Sequence, residues 1–168
     1  MEGIDSLRVS LTDPAVLRLV QGLTEEYRRR YGANDEMTAY EPAMFEPPRG
    51  YFLVLQSEGV TVAGGGFRRL DANTAEIKRM WTDPKHRGRG YGRRVLDSLE
   101  TEAARQGLAR VRLETGTAQP EAIALYRSAG YIPIPGYGRY KHVPGNVSLE
   151  KILPAQGRRV SVETRVLP

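Results

Sequence analysis

Arg87-Gly88-Arg89-Gly90-Tyr91-Gly92 is the stretch that decides how this chain is read. Glycine alternates there with two arginines and a tyrosine. The run follows an extended segment, Thr74 to Thr82, and leads into an amphipathic one, Arg93 to Gln106. Strand, glycine-rich turn and helix start together form a layout for holding a phosphate. Glycine lets the backbone approach closely, successive N–H groups converge on one anion, and the positive end of the helix dipole adds to their field. Two familiar phosphate motifs do not fit. The dinucleotide fingerprint requires Gly-x-Gly-x-x-Gly, whereas Gly88-x-Gly90-x-Gly92 closes one residue early. The P-loop ends in Gly-Lys-Ser/Thr, which is missing.

Upstream of this run, residues 7–10 are expected as a short strand. Asp13-Pro14 opens a helix, with Asp as N-cap and Pro in the first turn. Val16, Leu19, Val20, Leu23 and Tyr27 recur at helical spacing, and Gly32 ends the helix. Pro42, Pro47 and Pro48 make 33–50 a loop with one short helix around Ala43. Tyr51 to Gln56, Val60 to Leu70 and Thr74 to Thr82 read as a meander of three strands. Gly64-Gly65-Gly66 weakens the second of them and invites a bulge or a close backbone neighbour.

Downstream, Val95, Leu96, Leu99 and Ala103 face one way along a helix over 90–106, which Gly107 stops. Arg110 to Thr115 alternates as a half-buried strand should. Pro120 starts a helix with Ala122, Leu125, Tyr126 and Ala129 on one face, and Val147 to Ile152 is a last strand. The domain is thus expected to span 1–153. The weakly alternating tail 154–168 is left open as an edge strand, an arm exchanged in a dimer, or disorder.

Composition narrows the function classes. The 168 residues, 27% charged and 40% apolar, suit one globular domain with a sizeable core. With no cysteine there is no disulfide, no thiolate metal site and no cysteine acyl-enzyme. With only His86 and His142, no metal is expected. No apolar run approaches a membrane span, and the acidic start Met1-Glu2-Gly3-Ile4-Asp5 has no signal core, so a cytoplasmic protein is expected. The net charge of +5 suits a polyanionic small ligand. It also suits a nucleic acid, but no aromatic and basic platform supports that partner.

Arg87-x-x-Gly90-x-Gly92 resembles the pyrophosphate-binding signature of the GNAT superfamily of N-acetyltransferases, which use acetyl-coenzyme A. The likeness covers roughly residues 50 to 152. It is strongest from Ala75 to Leu96, and again over Ala122-Ile123-Ala124-Leu125-Tyr126-Arg127-Ser128-Ala129-Gly130-Tyr131. Two matches in the right order are far more specific than either alone.

The resemblance implies an α/β fold: a mixed, mostly antiparallel central sheet flanked by helices. Acetyl-coenzyme A would lie between diverging strands at 74–82 and 110–115. Arg87, Gly88, Arg89, Gly90, Tyr91, Gly92 and Arg93 would cradle its pyrophosphate. Freed backbone at Met80, Trp81 and Thr82 would pair with the pantetheine amides, a form of strand addition. The family's usual asparagine is replaced by Gln119, which offers an amide at longer reach.

Acetylating an amine requires its neutral form, and a carboxylate can remove the proton. Glu76 precedes Arg87 by the gap at which several members of the superfamily place that base. It is expected on the same strand face as Lys78 and Met80, with Glu114 in reserve. Tyr126 matches the tyrosine whose hydroxyl protonates the departing thiolate in many members. The resemblance further implies direct transfer to a primary amine of a small molecule or amino acid, and admits a homodimer. The loop 33–50, Arg30, Tyr31, Tyr137, Arg139, Tyr140, Lys141 and His142 would lie around the acceptor, where a guanidinium at Arg30 would suit a substrate carboxylate. A protein or peptide amine, or a coenzyme A sensor without turnover, are the alternatives.

Overall fold

The computed structural model describes residues 3–155. The tail from 156 onward, and with it the edge-strand, exchanged-arm and disorder alternatives, lies outside the described residues. Seven strands form one sheet: β1 (Ile4–Arg8), β2 (Gly50–Ser57), β3 (Val60–Asp71), β4 (Thr74–Thr82), β5 (Arg110–Gly116), β6 (Ile132–Ile134) and β7 (Asn146–Ile152), in the order β1-β2-β3-β4-β5-β7-β6. Among the described residues, three α-helices accompany it: α1 (Leu17–Tyr31), α2 (Tyr91–Arg105) and α3 (Pro120–Ser128). Every strand pairing is antiparallel except β4 with β5.

Local chemistry explains most boundaries. The Asp13 side chain accepts from Ala15 N at 2.8 Å and caps a 3-10 turn that runs into α1. Gly32, at φ 72°, ends that helix. Glu58 and Gly59 both take positive φ between β2 and β3, the condition for a tight two-residue hairpin turn. The first strand lies a few residues earlier than expected; Val9, just past its end, still donates to the Phe52 carbonyl at 3.0 Å, and its side chain packs into the α1-side core. The short helix near Ala43 is a 3-10 turn, Pro42–Phe45, whose Phe45 is buried edge-on against Phe52. Strand β6 has no counterpart in the sequence reading. Pro133 at its centre weakens any strand signal and is tolerated because β6 is an edge.

Each face of the sheet carries its own core. On one, Val95, Leu96, Leu99 and Ala103 of α2 and Tyr126 of α3 pack over Ala75, Ile77 and Val111. On the other, Leu19 and Leu23 of α1 pack with Phe52, Val54 and Trp81. The triple glycine makes both possible. A Cβ on Gly64 would lie 2.7 Å from Leu19 Cδ1, and one on Gly65 would collide with the Met80 sulfur.

Opposite Gly65, β4 carries one extra residue. Gly64 pairs with Trp81 and Gly66 with Lys78, leaving Arg79 and Met80 to face a single glycine. Arg79 takes φ 61° at this bulge. The alternation of side chains therefore reverses within the strand. Glu76 and Lys78 point away from α2, whereas Met80 packs against the α2 core, so the expectation that all three share a face is corrected.

Candidate active site

β4 and β5 pair only from Thr74–Glu76 to Arg110–Arg112 and then part. The gap opens into a cleft of about 720 Å³, walled by the ends of both strands, the start of α2, α3 and the last turns of α1. Beyond Glu76, the edge of β4 facing β5 has no strand partner.

The glycine turn stands at one end. Gly88 and Gly90 take φ of 77° and 82°, backbone that L side chains rarely adopt. Gly90 is the N-cap of α2 and offers no side chain. Among the described residues, no acceptor meets the main-chain N–H groups from Gly88 to Arg93. Orphaned donors at a helix start, on a turn open to a cleft, fit a diphosphate. Gly88, Gly90, Tyr91, Gly92 and Arg93 line the cleft, and Arg89 does not.

The arginine side chains are largely engaged within the protein. Arg87 donates to Glu26 at 2.7 Å and to the Thr82 carbonyl at 3.2 Å, and Arg93 donates to Asp97 at 3.0 Å. The cradle is therefore chiefly main chain. Met80, Trp81 and Thr82 form the adjoining wall. Trp81 is fixed by α1, where a Cβ on Gly22 would lie 2.7 Å from its indole Cε2.

Gln119 caps α3 and lines the cleft, but its amide donates to the Tyr31 hydroxyl at 2.7 Å. Arg30 is likewise engaged, by the Ala118 carbonyl, by Glu121 at 2.7 Å and by Glu26 at 3.6 Å. Both tie α1 to α3 across the cleft.

Tyr126 lies on the cleft wall with its ring edge-on to Tyr131. Burial pushes its phenol above the ordinary value of 10.0, so the hydroxyl stays protonated. Among the described residues no partner takes up that hydroxyl.

The two glutamates differ sharply. Glu76 is 1% exposed and lies behind the cleft wall. The Tyr137 hydroxyl donates to its Oε2 at 2.6 Å, Arg68 Nε donates to Oε1 at 3.0 Å, and Lys78 Nζ stands 3.7 Å away. Glu114, on β5, lines the cleft. Its Oε2 accepts from Tyr140 N at 3.0 Å and Asn146 Nδ2 at 3.2 Å, while Oε1 has no partner. Burial raises the Glu114 pKa above the ordinary 4.5, against the pull of Lys78.

At the end of the cleft beside the loops 33–41 and 135–145, a strand lysine that the sequence places only beside Glu76 joins the loop residues expected around the acceptor. Lys78 is buried between Glu36 at 3.5 Å and Glu76, with the rings of Tyr40 and Tyr140 at 4.9 and 5.5 Å. Arg139 pairs with Asp35 at 2.5 Å and the Tyr140 hydroxyl donates to Glu36, so the loops at 33–41 and 135–145 are joined. A lysine and an arginine in mid-strand were the available signal. Their partners come from loops with no periodicity to read.

Comparison with known proteins agrees with this architecture. The family model of the "Acetyltransferase (GNAT) family" matches residues 18–131. The chain is 34% identical to an IAA acetyltransferase of Azospirillum brasilense, over 91% of this chain and all of that one. It is 34% identical to the N-alpha-acetyltransferase RimI of Mycobacterium tuberculosis, over 63% of this chain and 70% of that one. A GNAT family acetyltransferase from Elizabethkingia anophelis, solved with acetyl-CoA bound, superimposes with a TM-score of 0.64 over 91% of this chain and all of that one; at 14% identity this likeness speaks for the fold alone. A shared fold, a family match over most of the chain and named acetyltransferase relatives converge: the chain belongs to the GNAT family of acetyltransferases.

Proposed function

We propose that the protein binds acetyl-coenzyme A in this cleft and transfers its acetyl group directly to a primary amine of a small molecule or amino acid. The observation that carries the reading is the run of unpaired N–H groups from Gly88 to Arg93 at the mouth of a cleft between parting strands. The diphosphate would rest on these donors, and the pantetheine arm would run along Met80, Trp81 and Thr82.

In this reading Glu114 is the base. Its side chain lines the cleft, and burial raises its pKa, the direction a proton acceptor needs. Glu76, enclosed by Tyr137, Arg68 and Lys78, holds the wall behind it. Tyr126, kept protonated by burial, is positioned to donate to the departing thiolate.

The RimI relative favours a second reading, a peptide N-terminus as acceptor. The bridges from Arg139 to Asp35 and from Tyr140 to Glu36 narrow the acceptor end and favour a small molecule. Thiol release from acetyl-coenzyme A separates the readings when amines, amino acids and short peptides are offered in turn. The absence of cysteine leaves no protein background in such an assay. Turnover with peptides alone would replace the small-molecule reading. Tight acetyl-coenzyme A binding without transfer to any amine would favour a sensor.

A further inference from the structure

Among the described residues, Arg79 is a cation without a counter-ion. It sits at the β4 bulge with φ 61°, a left-handed conformation that carries a penalty for any residue with a Cβ. It is 5% exposed and lines the cleft. Both terminal nitrogens lean on the Met37 carbonyl at 3.3 Å, and the guanidinium lies 5.6 Å from the Phe45 ring centroid. Its Nε is buried with no acceptor. Among the described residues no carboxylate reaches ion-pair distance.

Its charged neighbours are already committed. Arg68 holds Glu76 at 3.0 Å, and Lys78 shares Glu76 and Glu36. Glu36 also accepts from Tyr140, and Glu114 accepts from Tyr140 N and Asn146. Arg30 is taken by Glu121 and Glu26, and Arg139 by Asp35. A buried charge normally comes paired, since desolvation is costly without compensation. Arginine cannot escape by losing its proton. An unpaired guanidinium in a strained position is therefore a site prepared for an anion from outside. The diphosphate is the wrong candidate, because Arg79 lies on the α1 side with Met37 and Phe45, whereas the N–H cradle opens at the start of α2.

We propose that Arg79 binds a carboxylate of the acceptor, so that the amine acetylated belongs to an amino acid or another small carboxylate-bearing amine. The planar guanidinium matches a carboxylate in two-pronged geometry, and the missing counter-charge arrives with the substrate. The inference rests on the transfer reading of the same cleft and narrows it.

The test pairs each acceptor with its uncharged twin. Standard L-amino acids and ω-amino acids are offered to the full chain beside their primary amides, with acetyl-coenzyme A saturating. In parallel, N-acetyl-amino acids and their amides are titrated by calorimetry into protein loaded with coenzyme A, which reads binding without turnover. The wild type should favour at least one acid over its amide by tenfold or more. Arg79→Gln should raise KM and Kd for that acid about 10- to 100-fold, the loss expected of a charge-assisted pair, and move the amide by less than threefold. Arg79→Lys, which keeps the charge, should recover part of the preference and guards against misfolding of the Gln variant. Amides handled as well as acids by the wild type, or a preference that survives in Arg79→Gln, would overturn the proposal while acetyl-coenzyme A binding still stood. Failure of the wild type to bind acetyl-coenzyme A would instead strike the transfer reading itself.

Discussion

Tyr137 closes over Glu76, its hydroxyl donating to Oε2 at 2.6 Å and leaving that carboxylate 1% exposed. The glutamate on the strand that the family motif singles out is thus held inside the wall, and the neighbouring strand presents Glu114 to the cleft. Glu114→Gln should lower kcat at neutral pH by about 100-fold or more, the typical range for a lost general base. The deficit should shrink as pH rises toward the acceptor's own pKa, where the amine needs no help. Glu76→Gln should cost less than about tenfold in rate and roughly 2 kcal/mol in stability, by loosening Arg68 and Lys78. Steady-state pH profiles and thermal melts of both variants decide the assignment. The reverse ranking would return the base to Glu76.

Glu114 also gives a stability signature. A carboxyl whose folded pKa lies above its unfolded value takes up protons on folding within that interval. It lowers stability as pH rises through it, and exerts no penalty below the unfolded value. Glu114→Gln, which keeps an oxygen for Tyr140 N and Asn146, should therefore melt higher than the wild type at pH 7 and lose that advantage on acidification below about pH 4. A variant less stable than wild type at both extremes would contradict the raised pKa.

Gly90→Asp tests the cradle. Aspartate tolerates left-handed backbone better than most residues, so the fold should survive with a loss of about 1 kcal/mol. Acetyl-coenzyme A affinity should fall by at least about 100-fold, because a carboxylate at the N-cap meets the diphosphate. Calorimetry that found unchanged affinity would remove the cradle from the site.

Tyr126→Phe should lower kcat about tenfold with little change in KM for acetyl-coenzyme A, a modest general-acid contribution. Because burial holds the phenol above 10.0, no loss of rate from its ionisation should appear below pH 10. A basic limb near pH 9 that vanished in the variant would show the hydroxyl to be far less buried.

Gly22→Ala sets two effects against each other. Alanine is favoured within a helix by about 1 kcal/mol. Here its methyl would press on the Trp81 indole, at a cost of roughly 1–3 kcal/mol. A lower melting temperature and a shifted emission from this sole tryptophan are expected. Net stabilisation would mean that Trp81 is not pinned by α1.

What could be read beforehand was governed by periodicity and by glycine. Asp13-Pro14, Gly32 and Gly107 punctuated the helices, and the alternation in Arg110 to Thr115 placed a strand where β5 lies. The glycine turn and the start of α2 were legible because left-handed backbone and a helix N-terminus leave their mark in glycine itself. The difference in setting between the enclosed Glu76 and the cleft-lining Glu114 was not. It depends on Tyr137 and Tyr140, which reach back from a loop far along the chain, and no local pattern encodes that return. The triple glycine announced a bulge, but only the register showed that the extra residue lies in the opposite strand.

That single surplus residue works as a crank in the sheet. Everything after it on β4 is turned over, so Trp81 serves α1 and the Met80 thioether serves α2. Removing one of the two residues between Lys78 and Trp81 would restore plain alternation with the indole still opposite Gly64 on the α1 side, and what would vanish is the left-handed kink at position 79.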